Sequence, residues 1–399
     1  MNPGRPTAII YCDHLLYASE TFIRGQASTL KRYVPAYAGL RRVRGLELPG
    51  EQTHVIHRGD TFGRVWELAF KLWGVAPGFV KELRSLQPQL IHAHFGADGL
   101  RALPLAKKLH LPLIVSFHGS DATATQVKNV AVPYGHRRYL ANKSRLQQYA
   151  SQVIAVSEFV KSKLLMQGYA EEQVKVHYIG VDTKMFSPKT GESEPIVLFV
   201  GRLVERKGVG YLIRAMAAIQ NELPNLELVV IGDGPLRSEL EALANASLRK
   251  YRFLGAQTPE AVRNWMSVAR IFAAPSVKVK SGEEEGFGIV FIEAQAMEKP
   301  VVSFDSGGIG EAVEHGVTGF LAQERDWHGL AEYIALLARD LDLRRKMGLA
   351  GRARVLRLFD LETQTELLEE MYSEVVTRSK AREEQTSHAS HGAFKWPRY

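Results

Sequence analysis

Cysteine is almost absent: Cys12 is the single one in 399 residues. That excludes a disulfide framework and a cysteine-rich metal site, and it fits a reducing, cytosolic compartment. No run of about 18 consecutive apolar residues occurs, so no membrane-crossing helix is expected. The apolar run at residues 8–11 is too short for the core of a signal peptide and reads as a buried first strand. A GxxxxGK[ST] phosphate loop is missing, which argues against an ATPase. There is no repeat of solenoid period and no recognised nucleic-acid-binding module, so no nucleic-acid partner is expected.

What is present is the balance of a globular protein, with 45% hydrophobic and 24% charged residues. The length suits two domains better than one. Charge is uneven. Residues 1–188 carry 24 Lys/Arg against 13 Asp/Glu, a net of +11; the rest carry 27 against 30, a net of −3. A basic half suggests an anionic partner, or simply a soluble basic surface. Short β-branched runs at residues 8–11, 90–93, 113–117, 152–155, 196–200, 226–231, 271–274 and 300–303 alternate with amphipathic stretches such as 210–223 and 260–269. Continuous apolar runs of that length predict strands buried on both faces of parallel sheets, hence doubly wound α/β architecture. Glycines and prolines at residues 179–195 mark the boundary. The reading is a Rossmann-like domain over 1–188, a second over 189–360, a helix over 361–378, and a disordered tail over 379–399.

Several motifs carry chemistry. Glu285 and Glu293 stand eight positions apart around Gly286, Phe287 and Gly288. On a helix that spacing is about 80° of rotation, which places both carboxylates on one side. An apolar run starts at Ile289 and looks like a helix start, where free N–H groups favour an anion. The plainer alternative is a solvated acidic run, 283–285, beside a buried helix. Arg202 and Lys207 lie between a predicted strand and the next helix, where open α/β sheets bind ligands. Two such cations could clamp a diphosphate, or be ordinary surface charges. His118, Ser120 and Asp121 surround a glycine at another strand end, and His92, His94 and Gly96 end a third. No third ligand accompanies the two histidines, so no metal site is expected. Glycine loops at 232–235 and 306–310 are either ligand contacts or turns.

In order along the chain, GRL…KG at 201–208, GDGP at 232–235, FLG at 253–255, EGFGIVFIEAQA at 285–296 and GGIGEAVEHGVTGF at 307–320 resemble the family 4 glycosyltransferases with an E-x7-E element. SETFI at 19–23, HAHFG at 92–96 and FHGSD at 117–121 are similar to enzymes that build bacterial exopolysaccharides. The resemblance covers residues 8–375. It implies the GT-B fold, two Rossmann-like domains facing each other across a cleft. It also implies a retaining hexosyltransferase that needs no cofactor or divalent metal, with a UDP- or GDP-linked sugar as co-substrate. Carried over by position, Arg202 and Lys207 would hold the donor diphosphate. Glu285 would bind the transferred sugar and Glu293 the ribose. Backbone N–H groups of Phe287, Gly288 and Ile289 would face sugar and phosphate, and Leu254 would line the base pocket. His118, Asp121 and Glu285 would form the catalytic set. Ser19, Glu20, Thr21, His94 and Gly96 would lie on the acceptor side. Two departures stand out: where a Gly-Gly loop is common after the first strand this chain reads YASET at 17–21, and Gly310 stands where proline is frequent.

The expected acceptor is a glycan or a polyprenyl-diphosphate-linked glycan at the cytoplasmic face of the inner membrane. The basic first half motivates this, with Arg41, Arg42 and Arg44, and with Trp66, Phe70, Trp73 and Phe79 set among Arg64, Lys71, Lys81 and Arg84. A core helix with a charged rim is the competing reading of that stretch. Rival functions are a nucleotide-sugar 2-epimerase on the same fold and a basic nucleic-acid-binding protein. Oligomeric state is open from the sequence.

Overall fold

The structure is a computed structural model that describes residues 4–123, 134–189, 191 and 193–391. Eight strands form the first sheet: β1 Thr7–Tyr11, β2 His14–Leu15, β3 Val34–Arg42, β4 Thr53–His57, β5 Pro88–His94, β6 Leu113–Phe117, β7 Gln152–Ala155 and β8 Val174–Val176. Their order is β2-β3-β1-β5-β6-β7-β8, with β4 also paired to β3. The second sheet holds β9 Glu194–Val200, β10 Glu227–Ile231, β11 Tyr251–Phe253, β12 Ala269–Ala273, β13 Val301–Asp305 and β14 Gly319–Gln323. Its order is β11-β10-β9-β12-β13-β14, a doubly wound Rossmann order. Paired strands run parallel throughout.

The apolar runs are strands because helices cover both sheet faces. All five residues of β6 are buried, as are the last four of β1 and β10. In each sheet the strand order reverses beside the first strand, between β1 and β5 and between β9 and β12. Crevices form at such switch points, at the carboxyl ends of the strands. The chain crosses between halves through Val181, whose N–H donates to Phe359 O at 2.8 Å while its carbonyl accepts from Leu361 N at 3.0 Å.

A long helix, Leu361–His391, then returns to the first half. Leu368, Tyr372 and Val375 pack there against Ala8, Leu30, Tyr33, Leu90, Ile114 and Ile154. The helix runs beyond residue 378, into the stretch that the sequence reading assigned to a disordered tail; residues 392–399 lie outside those described. In the aromatic stretch 62–86 the structure divides the rings. Phe70 and Phe79 are core and meet edge to face at 6.1 Å, whereas Phe62, Trp66 and Trp73 are exposed. No helix among the described residues is long and apolar enough to cross a membrane.

Candidate active site

The loop after β9 carries Arg202, Arg206 and Lys207. It can fold tightly because Gly208 takes φ +65°, and a Cβ there would sit 1.9 Å from Pro275 O. Lys207 Nζ reaches Glu285 Oε2 at 2.5 Å, and Arg206 Nη1 reaches the same oxygen at 3.0 Å. Ser276 Oγ donates to it at 3.2 Å. Burial pushes the Glu285 carboxyl up, but Lys207 and Arg206 overcome this and hold it down at about 2. Arg202 lies in the same loop with its side chain exposed and no partner among the described residues. Arg206 and Ser276 were not legible as site residues: they join Glu285 from 79 and 9 positions away, and no local periodicity reports that.

Glu285 and Glu293 do not share a helix, contrary to the rotation argument. The helix is Ile289–Ala296, so Glu285 sits on the turn before it and Glu293 within it. Gly288 caps that helix in a left-handed conformation, φ +84°, with no side-chain cap. The N–H groups of Phe287, Gly288 and Ile289 meet no protein acceptor among the described residues, which leaves an open helix tip. The ring of Phe287 is buried between Tyr178 and Phe359 at 5.5 and 5.3 Å, so only its backbone is offered to the cleft. The Glu293 carboxylate makes no hydrogen bond to a described residue, and burial pushes its pKa up to about 7. Leu254 follows β11 and is half-buried, its N–H donating to Val230 O at 3.0 Å. The two other glycine loops are close backbone packings: a Cβ on Gly232 would lie 1.8 Å from Gly201 O, and one on Gly307 2.2 Å from Glu285 O.

In the first half, His94 ends β5 and His118 follows β6. His94 Nδ1 and His118 Nε2 are 3.1 Å apart, sharing one proton. Burial lowers the pKa of His118 to about 3 and that of His94 well below its usual value, so both rings are neutral. His118 Nδ1 is buried and has no hydrogen-bond partner among the described residues. Phe22 and Phe95 pack on the His118 ring at 4.8 and 4.9 Å. The Asp121 carboxylate is turned onto backbone, accepting from the N–H groups of His118 and Gly119 in its own loop at 3.0 and 2.9 Å and from that of Gly96, after β5, at 3.1 Å. That bonding holds His118 in place. Gly96 fits because a Cβ would meet the Phe117 ring at 2.5 Å. Ser19 is exposed, and Thr21 starts the Thr21–Thr29 helix. Glu20 closes the preceding turn by accepting from Tyr17 N at 2.8 Å.

The two halves meet at these loops. Gly119 and Gly286 face each other so closely that a Cβ on Gly119 would lie 2.9 Å from Gly286 Cα. Ser157 Oγ donates to Gly286 O at 2.6 Å, and Glu284 N donates to Thr123 Oγ1 at 3.2 Å. Glu311 of the second half accepts from the N–H groups of Glu158 and Phe159, at 2.7 and 2.8 Å, at the start of the Glu158–Met166 helix. His118 and Glu285 therefore flank one junction. Among the described residues, no group of three or more His, Cys, Asp or Glu side chains is arranged to hold a metal ion.

Comparison with known proteins gives this geometry a family. Residues 39–185 match the Glycosyltransferase Family 4 profile, and residues 181–354 match that of the Glycosyl transferases group 1. An amylovoran biosynthesis glycosyltransferase of Erwinia amylovora is 30% identical over 269 residues, which are 66% of this chain and 64% of that protein. A GDP-mannose-dependent mannosyltransferase of Corynebacterium glutamicum, acting on a monoacylated phosphatidylinositol monomannoside, is 36% identical over 44% of this chain and 50% of its own. The match thus spans less than two thirds of the length of either. An uncharacterized glycosyltransferase of Methanocaldococcus jannaschii is 30% identical over 66% of this chain and 69% of its own. In overall fold, Anabaena HepE, solved with UDP and glucose, superposes with a TM-score of 0.75 at 21% identity, covering 92% of this chain and all of that one. A sucrose-phosphate synthase from Thermosynechococcus elongatus gives 0.75 at 22% identity, covering 94% of this chain and all of its own. The architecture is accordingly GT-B, and the chain belongs to the family 4 glycosyltransferases.

Proposed function

We propose that the chain transfers a hexosyl residue from a UDP- or GDP-linked donor, with retention of configuration and without a metal. The observation that carries this reading is the cluster of Lys207, Arg206 and Ser276 on one oxygen of Glu285, beside the open tip of the Ile289–Ala296 helix. A nucleotide diphosphate fits there. Its phosphates would take the helix tip, the exposed Arg202 and the free faces of Lys207 and Arg206. Glu293 would accept from the ribose hydroxyls, and Glu285 from hydroxyls of the sugar. The acceptor oxygen would attack the anomeric carbon from the face the diphosphate leaves. The bond from that carbon to the diphosphate oxygen breaks, and the acceptor's proton passes to the departing diphosphate. The cations and the helix tip stabilise the charge that grows on that group, at a few kcal/mol per well-placed donor. His118 would steer a sugar hydroxyl, held by His94 and by Asp121 acting as positioning residues.

As acceptor we infer a glycan or a polyprenyl-diphosphate-linked glycan of surface polysaccharide assembly, met at the cytoplasmic face of the inner membrane. The amylovoran relative supports that reading, as does the basic first half with its exposed Phe62, Trp66 and Trp73. Nothing found supports the 2-epimerase alternative.

The test is a thermal-shift panel followed by turnover. UDP- or GDP-linked sugars are expected to raise the melting temperature, and donor turnover is expected to persist in excess EDTA. Lys207→Ala is expected to slow turnover about 10²–10³-fold. Near-normal rates for both Lys207→Ala and Arg202→Ala would remove the diphosphate assignment.

A further inference from the structure

The Thr61–Trp73 helix presents its apolar side outward. Its buried residues are Gly63, Glu67 and Phe70, while Phe62, Val65, Trp66, Leu68, Leu72 and Trp73 are exposed. Phe62 and Trp73 keep 75% and 71% of their surface. At 100° per residue these six side chains cover an arc of roughly 160°. The inner side buries a carboxylate instead: Glu67 pairs with Lys71 and, at 3.1 Å, with His57. A stripe of this size on a helix whose other side already packs on the core marks a surface that another phase or partner covers.

Under the C-terminal end of that helix lies a cavity lined by Lys71, Trp73, Arg101, Arg138, Asn142 and Arg145, and none of the described residues that line it is a carboxylate. Two of its cations are already neutralised, Lys71 by Glu67 and Arg101 by Asp13. The other two are not. Among the described residues, the Arg138 guanidinium donates only to the carbonyl of Lys71, and exposed Arg145 has no partner. Two uncompensated guanidinium groups in a recess are matched to the oxygens of a phosphate. Ala97 and Arg101 also line the recess. They come from the Gly96–Leu109 helix, whose first N–H is bonded to Asp121. The cavity is therefore next to the proposed acceptor side.

We propose that this cavity seats the phosphate head group of an anionic membrane lipid while Phe62, Trp66 and Trp73 enter the bilayer interface. The proposal rests on the membrane reading given above. Charge decides between possible coverings. The stripe is bordered by Arg64 and ends at Arg138 and Arg145, and each uncompensated basic side chain near an anionic surface strengthens binding about fivefold.

The test is flotation of the full chain with vesicles of phosphatidylcholine alone or mixed with phosphatidylglycerol. The wild type is expected to prefer the anionic vesicles. Arg138→Ala with Arg145→Ala is expected to lower that partitioning on the order of 20-fold. Arg145→Ala alone, exposed and harmless to folding, should lower it about fivefold. The control is Lys250→Ala with Lys346→Ala, two exposed cations of the second half, expected to change it less than twofold. Trp66→Ser with Trp73→Ser is expected to abolish flotation. If the arginine variants behave like the control while the tryptophan variant is lost, the phosphate site is overturned and the membrane reading stands. If the wild type floats with neither vesicle, both fall. If in addition it sediments as a dimer that the tryptophan variant dissolves, the stripe belongs to a second copy.

Discussion

At Glu293 a carboxyl is held in a half-buried place without a partner among the described residues, and its pKa is pushed up to about 7. The sign of the consequence follows. A raised carboxyl pKa stabilises the fold fully below the unfolded value, near 4.3, and that contribution is lost as pH rises through about 7. At pH 8 the unliganded protein therefore carries a penalty of about 4 kcal/mol at most. Glu293→Gln removes it. Without donor, the variant is expected to melt about 2 °C or more above the wild type at pH 8 and to match it near pH 4.5, in scanning calorimetry at the two pH values. The same variant is expected to bind the nucleotide sugar more weakly. Equal melting shifts at both pH values would show that the carboxyl titrates elsewhere. Glu285 is the contrast: two cations hold it ionised at about 2, so its charge is fixed through the working range.

Between elements, the decisive fit is Gly119 against Gly286. Gly119 takes φ +131°, and a Cβ on Gly286 would stand 2.5 Å from His118 O. Gly286→Ala is expected to hold the two loops apart and cut donor turnover at least 10-fold, as misplacement on the ångström scale does. Each half should keep its fold. Circular dichroism and small-angle scattering, read beside turnover, check this: an unchanged rate would mean that the halves need not approach so closely. Much at this scale was legible. Runs such as LIVSF at β6 announce themselves because burial on both faces makes them almost continuously apolar. β3, VPAYAGLRR, was not predicted: it contains proline, glycine and two arginines, and pairing with β1, β2 and β4 makes it a strand. The Ile289 helix start was read correctly. The position of Glu285 off that helix was not, because the left-handed Gly288 redirects the chain before the first turn. Contacts from Arg206 to Glu285 and from His94 to His118 depend on which strand ends the topology brings together, and spacing does not encode that.

Across the whole molecule, the halves are joined more deeply than by their cleft. The helix Leu361–His391 places Leu368 and Tyr372 fully buried in the core of the first half, and Glu369 accepts from the N–H groups of Arg32 and Tyr33 at 2.6 and 3.1 Å. Leu368→Ala is expected to cost about 2–5 kcal/mol, measured by denaturant unfolding of the full chain. Ending the chain at residue 360 should leave the first half insoluble or molten, with dye-accessible apolar surface over Ala8, Leu90 and Ile114. A soluble, sharply melting 1–360 product would show that the helix is dispensable. The arrangement also fixes an order of events during synthesis. The ribosome emits the first half some 180 residues before the piece that completes its interior, and domains generally fold as they emerge. This one has to wait, half-made, until residues 361–391 have been translated.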